Sequence, residues 1–134
     1  MFRKQKVVEK IEEFKWDDYE TEKFLGEVER RPMMACMAVK YDGEWKLGTN
    51  VKHGRGVTIL DDGHMYEGYY LNGKENGKGR CIYNNGTYIE SGFLNGKPFG
   101  EGKCLQIGFP AALARLQLYN KDGWLNYFTD KPTI

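Results

Sequence analysis

The chain has 134 residues, with 20 Lys/Arg against 19 Asp/Glu and a net charge of +1, a size that suits one domain or one short repeat array and leaves no room for a second, catalytic domain. The balance is also local: residues 1–40 carry nine charges of each sign and residues 41–107 carry eight of each, so no basic field points to nucleic acid. The longest apolar run, Met33 to Val39, is far short of the ~20 residues of a membrane-spanning helix.

Met1-Phe2-Arg3-Lys4 begins like a charged leader, but no apolar stretch follows, and Glu9, Glu12 and Glu13 do not suit a transit peptide. The expected address is cytoplasmic. From Lys4 to about Trp16, the residues Val7, Val8, Ile11 and Phe14 recur at helical spacing, which predicts an amphipathic helix. Asp17-Asp18 can cap a second helix running on past Tyr19, although Gly26 weakens the pattern and Pro32 closes it. Met33 to Val39 is read as a strand leading into Tyr41. Residues 1–40 are thus expected to form an N-terminal helical extension.

Residues 41–107 repeat with a period of 23. Leu71-Asn72-Gly73-Lys74 returns as Leu94-Asn95-Gly96-Lys97, and Gly54/Gly56 returns as Gly77/Gly79 and Gly100/Gly102. Upstream, Tyr41, Gly43, Trp45 and Gly48 map onto Tyr66, Gly68, Tyr70 and Gly73 at a spacing of 25, which places a two-residue insertion between Gly48 and His53. A fixed period in this range marks a stacked repeat architecture. Tyr66, Gly68 and Tyr70 share one strand face, Asn72-Gly73 supplies a hairpin turn, and the return strand through Gly77, Gly79, Cys81 and Tyr83 is reversed again at Asn84-Asn85-Gly86. Each copy is predicted to be a β-hairpin plus a connecting turn. The glycines leave flat gaps in the pleat that aromatic rings from neighbouring strands can cover.

After Gln106 the pattern stops, and Pro110 followed by Ala111 to Leu118 carries a helix-start signal. Residues 108–134 are read as a C-terminal cap, because repeat arrays need atypical ends. Cys36, Cys81 and Cys104 lack metal-site spacing. Cys81 and Cys104 occupy equivalent positions two strands apart, beyond disulfide reach, so reduced thiols are expected.

The glycine and aromatic positions resemble the MORN repeat, whose pattern is Tyr-x-Gly-x-Trp-x-x-Gly-x-x-His-Gly-x-Gly with an Asp-Gly near its end. The first copy matches through Tyr41, Gly43, Trp45, Gly48, His53, Gly54, Gly56 and Asp62-Gly63. The second keeps Tyr66, Gly68, Tyr70, Gly73, Gly77, Gly79 and Asn85-Gly86, with Asn76 in place of His. In the third, Ile89, Ser91 and Phe99 replace Tyr, Gly and His, while Phe93, Gly96, Gly100 and Gly102 remain. The resemblance implies a mainly β fold, a twisted antiparallel sheet of hairpins acting as an assembly platform. It is similar to arrays in ciliary and cytoskeletal scaffolds and to arrays appended to lipid kinases.

Sharper chemical readings fall away. Gly73 to Lys78 has the wrong glycine spacing for a phosphate loop, and no Gly-x-Gly here has the third glycine of a dinucleotide fingerprint. His53 and His64 are the only histidines, so neither a three-histidine metal site nor a cofactor is expected, and His53 reads as structural. Asn85-Gly86-Thr87 reads as a turn rather than a glycosylated site, and Cys81 has no base at its repeat-equivalent positions. The aromatic face of Tyr41, Trp45, Tyr66, Tyr70, Tyr83 and Phe93 is expected to be shared between sheet packing and partner contact. The reading is a non-enzymatic protein–protein interaction scaffold, a small structural subunit of a ciliary or cytoskeletal assembly. The alternatives are a peripheral phosphoinositide-binding adaptor, in which Lys46, Lys52, Arg55, Lys74, Lys78, Arg80, Lys97 and Lys103 meet anionic lipid, and an accessory subunit of an enzyme complex.

Overall fold

The computed structural model describes residues 2–7 and 13–106, with side chains from 13 to 105. Its strands are β1 (Phe2–Val7), β2 (Val28–Arg30), β3 (Met34–Cys36), β4 (Val39–Lys46), β5 (Lys52–Leu60), β6 (Met65–Leu71), β7 (Lys74–Ile82), β8 (Thr87–Leu94) and β9 (Lys97–Gln106). One short helix, α1 (Asp18–Glu22), lies between β1 and β2. All strands join one sheet in the order β1-β9-β8-β7-β6-β5-β4-β2, with β3 also pairing β4. The six strands β4 to β9 form an antiparallel meander of three hairpins, one for each sequence repeat.

The turns follow from their residues. Asn72-Gly73 and Asn95-Gly96 have positive φ at both positions, the conformation a two-residue hairpin loop needs if its twist is to match the strands. The turns between repeats are built alike: Asp62 Oδ1 accepts from His64 N–H at 3.0 Å, and Asn85 Oδ1 accepts from Thr87 N–H at 2.9 Å. The insertion in the first repeat lengthens its hairpin loop, and Arg31 holds that loop through Asn50 Oδ1 and the Thr49 carbonyl.

Register turns the repeated glycines into a line. Gly43, Gly56, Gly68, Gly79, Ser91 and Gly102 are successive cross-strand partners, forming a row perpendicular to the strands. On this face, called the ring face below, tyrosines lie across the row. A Cβ on Gly56 would stand 2.5 Å from Tyr41 Oη, and one on Gly79 would stand 2.5 Å from Tyr66 Oη. The sequence expectation that rings cover strand glycines is therefore met in the first two repeats.

The N-terminal segment departs from expectation. The helix predicted from Lys4 to about Trp16 is overturned: Phe2–Val7 is a strand running parallel to β9, residues 13–17 are irregular, and the helix is the five-residue α1, capped by Asp17, whose side chain accepts from Glu20 N–H. The cause is tertiary. An unpaired β9 would expose a row of backbone groups, and pairing with β1 satisfies them, which outweighs a weak helical pattern. The strand expected within Met33 to Val39 is present as β3 and the start of β4, with a tight turn at Met37, where φ is 55°. The helix and cap predicted beyond Gln106, residues 108–134, lie outside the described residues.

Candidate interaction surface

On the ring face, Trp45, Tyr41, Tyr70, Tyr66 and Phe93 form a continuous edge-to-face ladder with centroid separations of 5.0, 5.6, 5.2 and 5.2 Å, the geometry ring quadrupoles favour. Tyr41 Oη donates to the Glu44 carbonyl at 2.7 Å, and Tyr66 Oη donates to the Tyr69 carbonyl at 2.8 Å, so the two rings are anchored identically one repeat apart. Burial pushes the Tyr41, Tyr66 and Tyr70 hydroxyls well above the usual phenol range. All five rings are 0–6% exposed. That differs from the expectation of a ring surface shared with a partner: the rings are spent on one another. Tyr83 stands apart, edge-on to His64 at 5.2 Å.

The opposite face is charged and covered. Arg55 pairs with Glu44 at 2.7 Å and Arg80 with Glu67, all four side chains being buried. Across this face the segment from Phe14 to Val28 runs from β7 to the β4 edge. Phe14 lies under Lys78 and Arg80, and Trp16 is edge-on to Tyr69 at 5.5 Å. Tyr69 Oη takes the Asp17 N–H at 2.8 Å, donates to the Asp17 carbonyl at 2.9 Å and lies 2.7 Å from Thr21 Oγ1. Phe24 then packs on Tyr69 and edge-on to His53, and β2 joins β4. The one N-terminal extension thus straps the array and covers both edges of its sheet.

His53 is part of that strap. Its Nδ1 accepts from Asn72 N–H at 3.0 Å and its Nε2 faces Glu27 at 3.1 Å, which accounts for a histidine at this motif position without any catalysis. Cys81 is a poor nucleophile, since burial pushes its thiol up to about 11. The three cysteines are free thiols. Asp42 is an anomaly: it is fully buried, neither carboxylate oxygen has a hydrogen-bond partner, and burial lifts its pKa to about 6 against the pull of Arg30. It faces Val57, whereas its repeat equivalents Glu67 and Glu90 face Arg80 and Lys103.

The eight array cations also divide. Arg55 and Arg80 are in buried ion pairs, Lys52 lies over the Tyr41 and Tyr70 rings, and Lys78 donates to the Lys15 carbonyl at 2.7 Å. Lys46, Lys74, Lys97 and Lys103 are the exposed ones. Beside the first three, at the hairpin tips, stand Leu47, Leu71 and Leu94, exposed by 49%, 43% and 45%, with Phe99 at 64% one step inward. Adjacent tips are tied by equivalent bonds, Gly73 N–H to Lys52 and Gly96 N–H to Glu75 carbonyls, so Leu71 and Leu94 hold equivalent places on neighbouring tips, whereas Leu47 stands at the position of Asn72. These leucines were missed as surface residues, although for Leu71 and Leu94 the duplicated Leu-Asn-Gly-Lys carried the signal: an apolar residue repeated beside a turn.

The family model of the MORN repeat matches residues 41–65, 66–88 and 90–105, each segment beginning near one hairpin of the meander. Residues 41–105 are an array of three MORN repeats. MORN repeats mediate protein or membrane interaction and are themselves a non-catalytic module. No curated protein matches the chain. Among the described residues of this MORN array, no helix is long and apolar enough to cross a membrane, and no group of three or more His, Cys, Asp or Glu side chains is placed to hold a metal.

Proposed function

We propose that this MORN array is a non-enzymatic protein–protein interaction scaffold, a small cytoplasmic subunit of a ciliary or cytoskeletal assembly. The observation that carries the reading is the exposure of Leu47, Leu71, Leu94 and Phe99 at and beside the hairpin tips of a sheet whose ladder rings are committed to internal packing. Exposed apolar residues on such a frame are what a partner surface needs. The position in an assembly rests on the likeness to ciliary and cytoskeletal scaffolds. Affinity purification from the native source tests it. Co-purifying spoke or tubulin-associated proteins should be lost when Leu47, Leu71 and Leu94 are all changed to Ser, and their absence with the unaltered chain would overturn the assembly.

Membrane contact is the second reading, favoured by Lys46, Lys74 and Lys97 beside the same leucines, an arrangement that suits an anionic surface. Flotation with phosphoinositide vesicles decides between them. Binding that disappears on Lys74→Glu with Lys97→Glu would replace the scaffold reading with the adaptor.

A further inference from the structure

Each hairpin has a register irregularity at the same place, between Gly43 and Trp45, between Gly68 and Tyr70, and between Ser91 and Gly92. Opposite lies a glycine of positive φ followed by one residue: Gly54-Arg55, Gly77-Lys78 and Gly100-Glu101, with φ of 93°, 88° and 81°. At such a bulge the ladder is interrupted, and a backbone N–H is left for some other acceptor.

In the first repeat the acceptor comes from the array itself. Glu44 Oε1 takes the Arg55 N–H at 2.7 Å and lies 2.6 Å from where a Cβ on Gly54 would stand. In the second repeat the residue equivalent to Glu44 is Tyr69, which has no carboxylate, and one is brought from outside. Glu20 of α1 takes the Lys78 N–H through both oxygens, at 3.1 and 3.3 Å, and its Oε1 occupies the space beside Gly77. In the third repeat the equivalent of Glu44 is Gly92. The Cβ position of Gly100 faces open space, and among the described residues no carboxylate reaches the Glu101 N–H. Gly92, Gly102, Glu101 and Lys103 instead line a cleft of about 730 Å³, whose other wall is α1 with Glu20 and Lys23.

We propose that the third bulge receives an acidic side chain carried on a helical segment of a partner protein, as the second bulge receives Glu20 from α1. The chemistry of the wall specifies the segment further. Glu101 stands where Arg55 and Lys78 stand in the other copies, so an incoming acid needs a base of its own to meet the exposed Glu101 and the nearby Glu90. A helix with Glu at one position and Lys three residues later supplies both. α1 and its C-cap have that arrangement in Glu20 and Lys23. The proposal deepens the scaffold reading by naming the partner's chemistry, and it concerns a surface separate from the hairpin tips.

The test is an NMR titration of the ¹⁵N-labelled full chain with a peptide of residues 14–26 of this same sequence, used as the acidic helical probe. The Glu101 amide should move downfield and saturate, and a Glu20→Gln peptide should bind at least ~10-fold more weakly. Gly92→Glu supplies the carboxylate in cis, as Glu44 does. Its Cβ would meet only the Phe99 carbonyl oxygen at 3.5 Å, so the fold accepts it, and peptide binding should vanish, whereas Gly92→Ala should keep it. An unmoved Glu101 amide, a movement confined to Lys78, equal affinity for the Gln peptide, or a Gly92→Glu chain that still binds would each overturn the proposal. Because the probe needs no hairpin-tip leucine, its failure leaves the scaffold reading standing, and a failed tip experiment leaves this one standing.

Discussion

On one face of the sheet, Trp45, Tyr41, Tyr70, Tyr66 and Phe93 pack as a ladder of neutral rings over a row of glycines. On the other, the ion pairs Glu44–Arg55 and Glu67–Arg80 are buried beneath the strap of residues 14–28. The ring face is built from the repeats alone: each tyrosine covers glycines within its own repeat, and the ladder joins one repeat to the next through Tyr41–Tyr70 and Tyr66–Phe93. The charged face is not. Its ions are shielded by a stretch of the N-terminal extension, whose two ends bind opposite edges of the sheet, so its stability depends on the whole chain. A thin sheet with no second sheet behind it can protect both faces by combining these two solutions.

The largest effect should come from breaking the charged face. Glu67→Ala removes the carboxylate that faces the buried Arg80, a loss that costs about 3–5 kcal/mol in such cases, and urea unfolding should show it as a drop in midpoint with little change in slope. A loss below ~1 kcal/mol would mean that the strap admits water and the pair is not desolvated.

The ring face should respond less. Gly79→Val places a side chain where Tyr66 Oη and Cε1 already lie, and overpacking of this kind costs about 1–3 kcal/mol. The comparison sharpens with Tyr66→Ala as background: there the same change should cost much less, whereas an unchanged cost would assign the strain to the backbone.

Asp42 gives the charged face a pH signature in the acid range. Its folded pKa of about 6 stands above the ordinary 3.8, so the folded state holds this proton more tightly than the unfolded chain does. Its contribution is therefore most favourable below about pH 4 and declines as pH rises through 6. Asp42→Asn should flatten that part of the stability profile and raise stability at pH 7–8, by on the order of 1–2 kcal/mol after allowance for solvent screening. An identical profile for the variant would show that Asp42 is solvated or paired.

Tyr69→Phe should have the smallest effect, about 1 kcal/mol, because it removes the hydroxyl bonded to Asp17 and Thr21 while keeping the ring against Trp16 and Phe24. Amide exchange should become faster in residues 17–24 and stay unchanged in β4 and β5. Uniform acceleration would mean that strap and sheet open together.

How far the sequence could be read depended on whether a feature repeated. The hairpins, their Asn-Gly turns and the rings over glycines were legible because each position appears two or three times, and chance does not preserve a register. Met34–Cys36 and the Asp17 cap were legible from local chemistry. β1 was not: Val7, Val8, Ile11 and Phe14 have helical spacing, and only the unpaired backbone of β9 favours an extended chain at Phe2–Val7. The exposure of Leu47, Leu71 and Leu94 and the burial of the rings were also hidden, since both sets are apolar and only the strap and the ladder separate them.

The sequence by itself determined the repeat, its hairpin fold and the places where the third copy loses Tyr and Gly, because turn chemistry and strand alternation act over a few residues. Only the tertiary structure decided that the N-terminal extension spans the array, that Glu20 supplies the carboxylate missing at Tyr69, and that Gly92 supplies none. Those outcomes depend on which backbone donors and sheet edges remain unpaired after the hairpins stack, a quantity that no local pattern encodes.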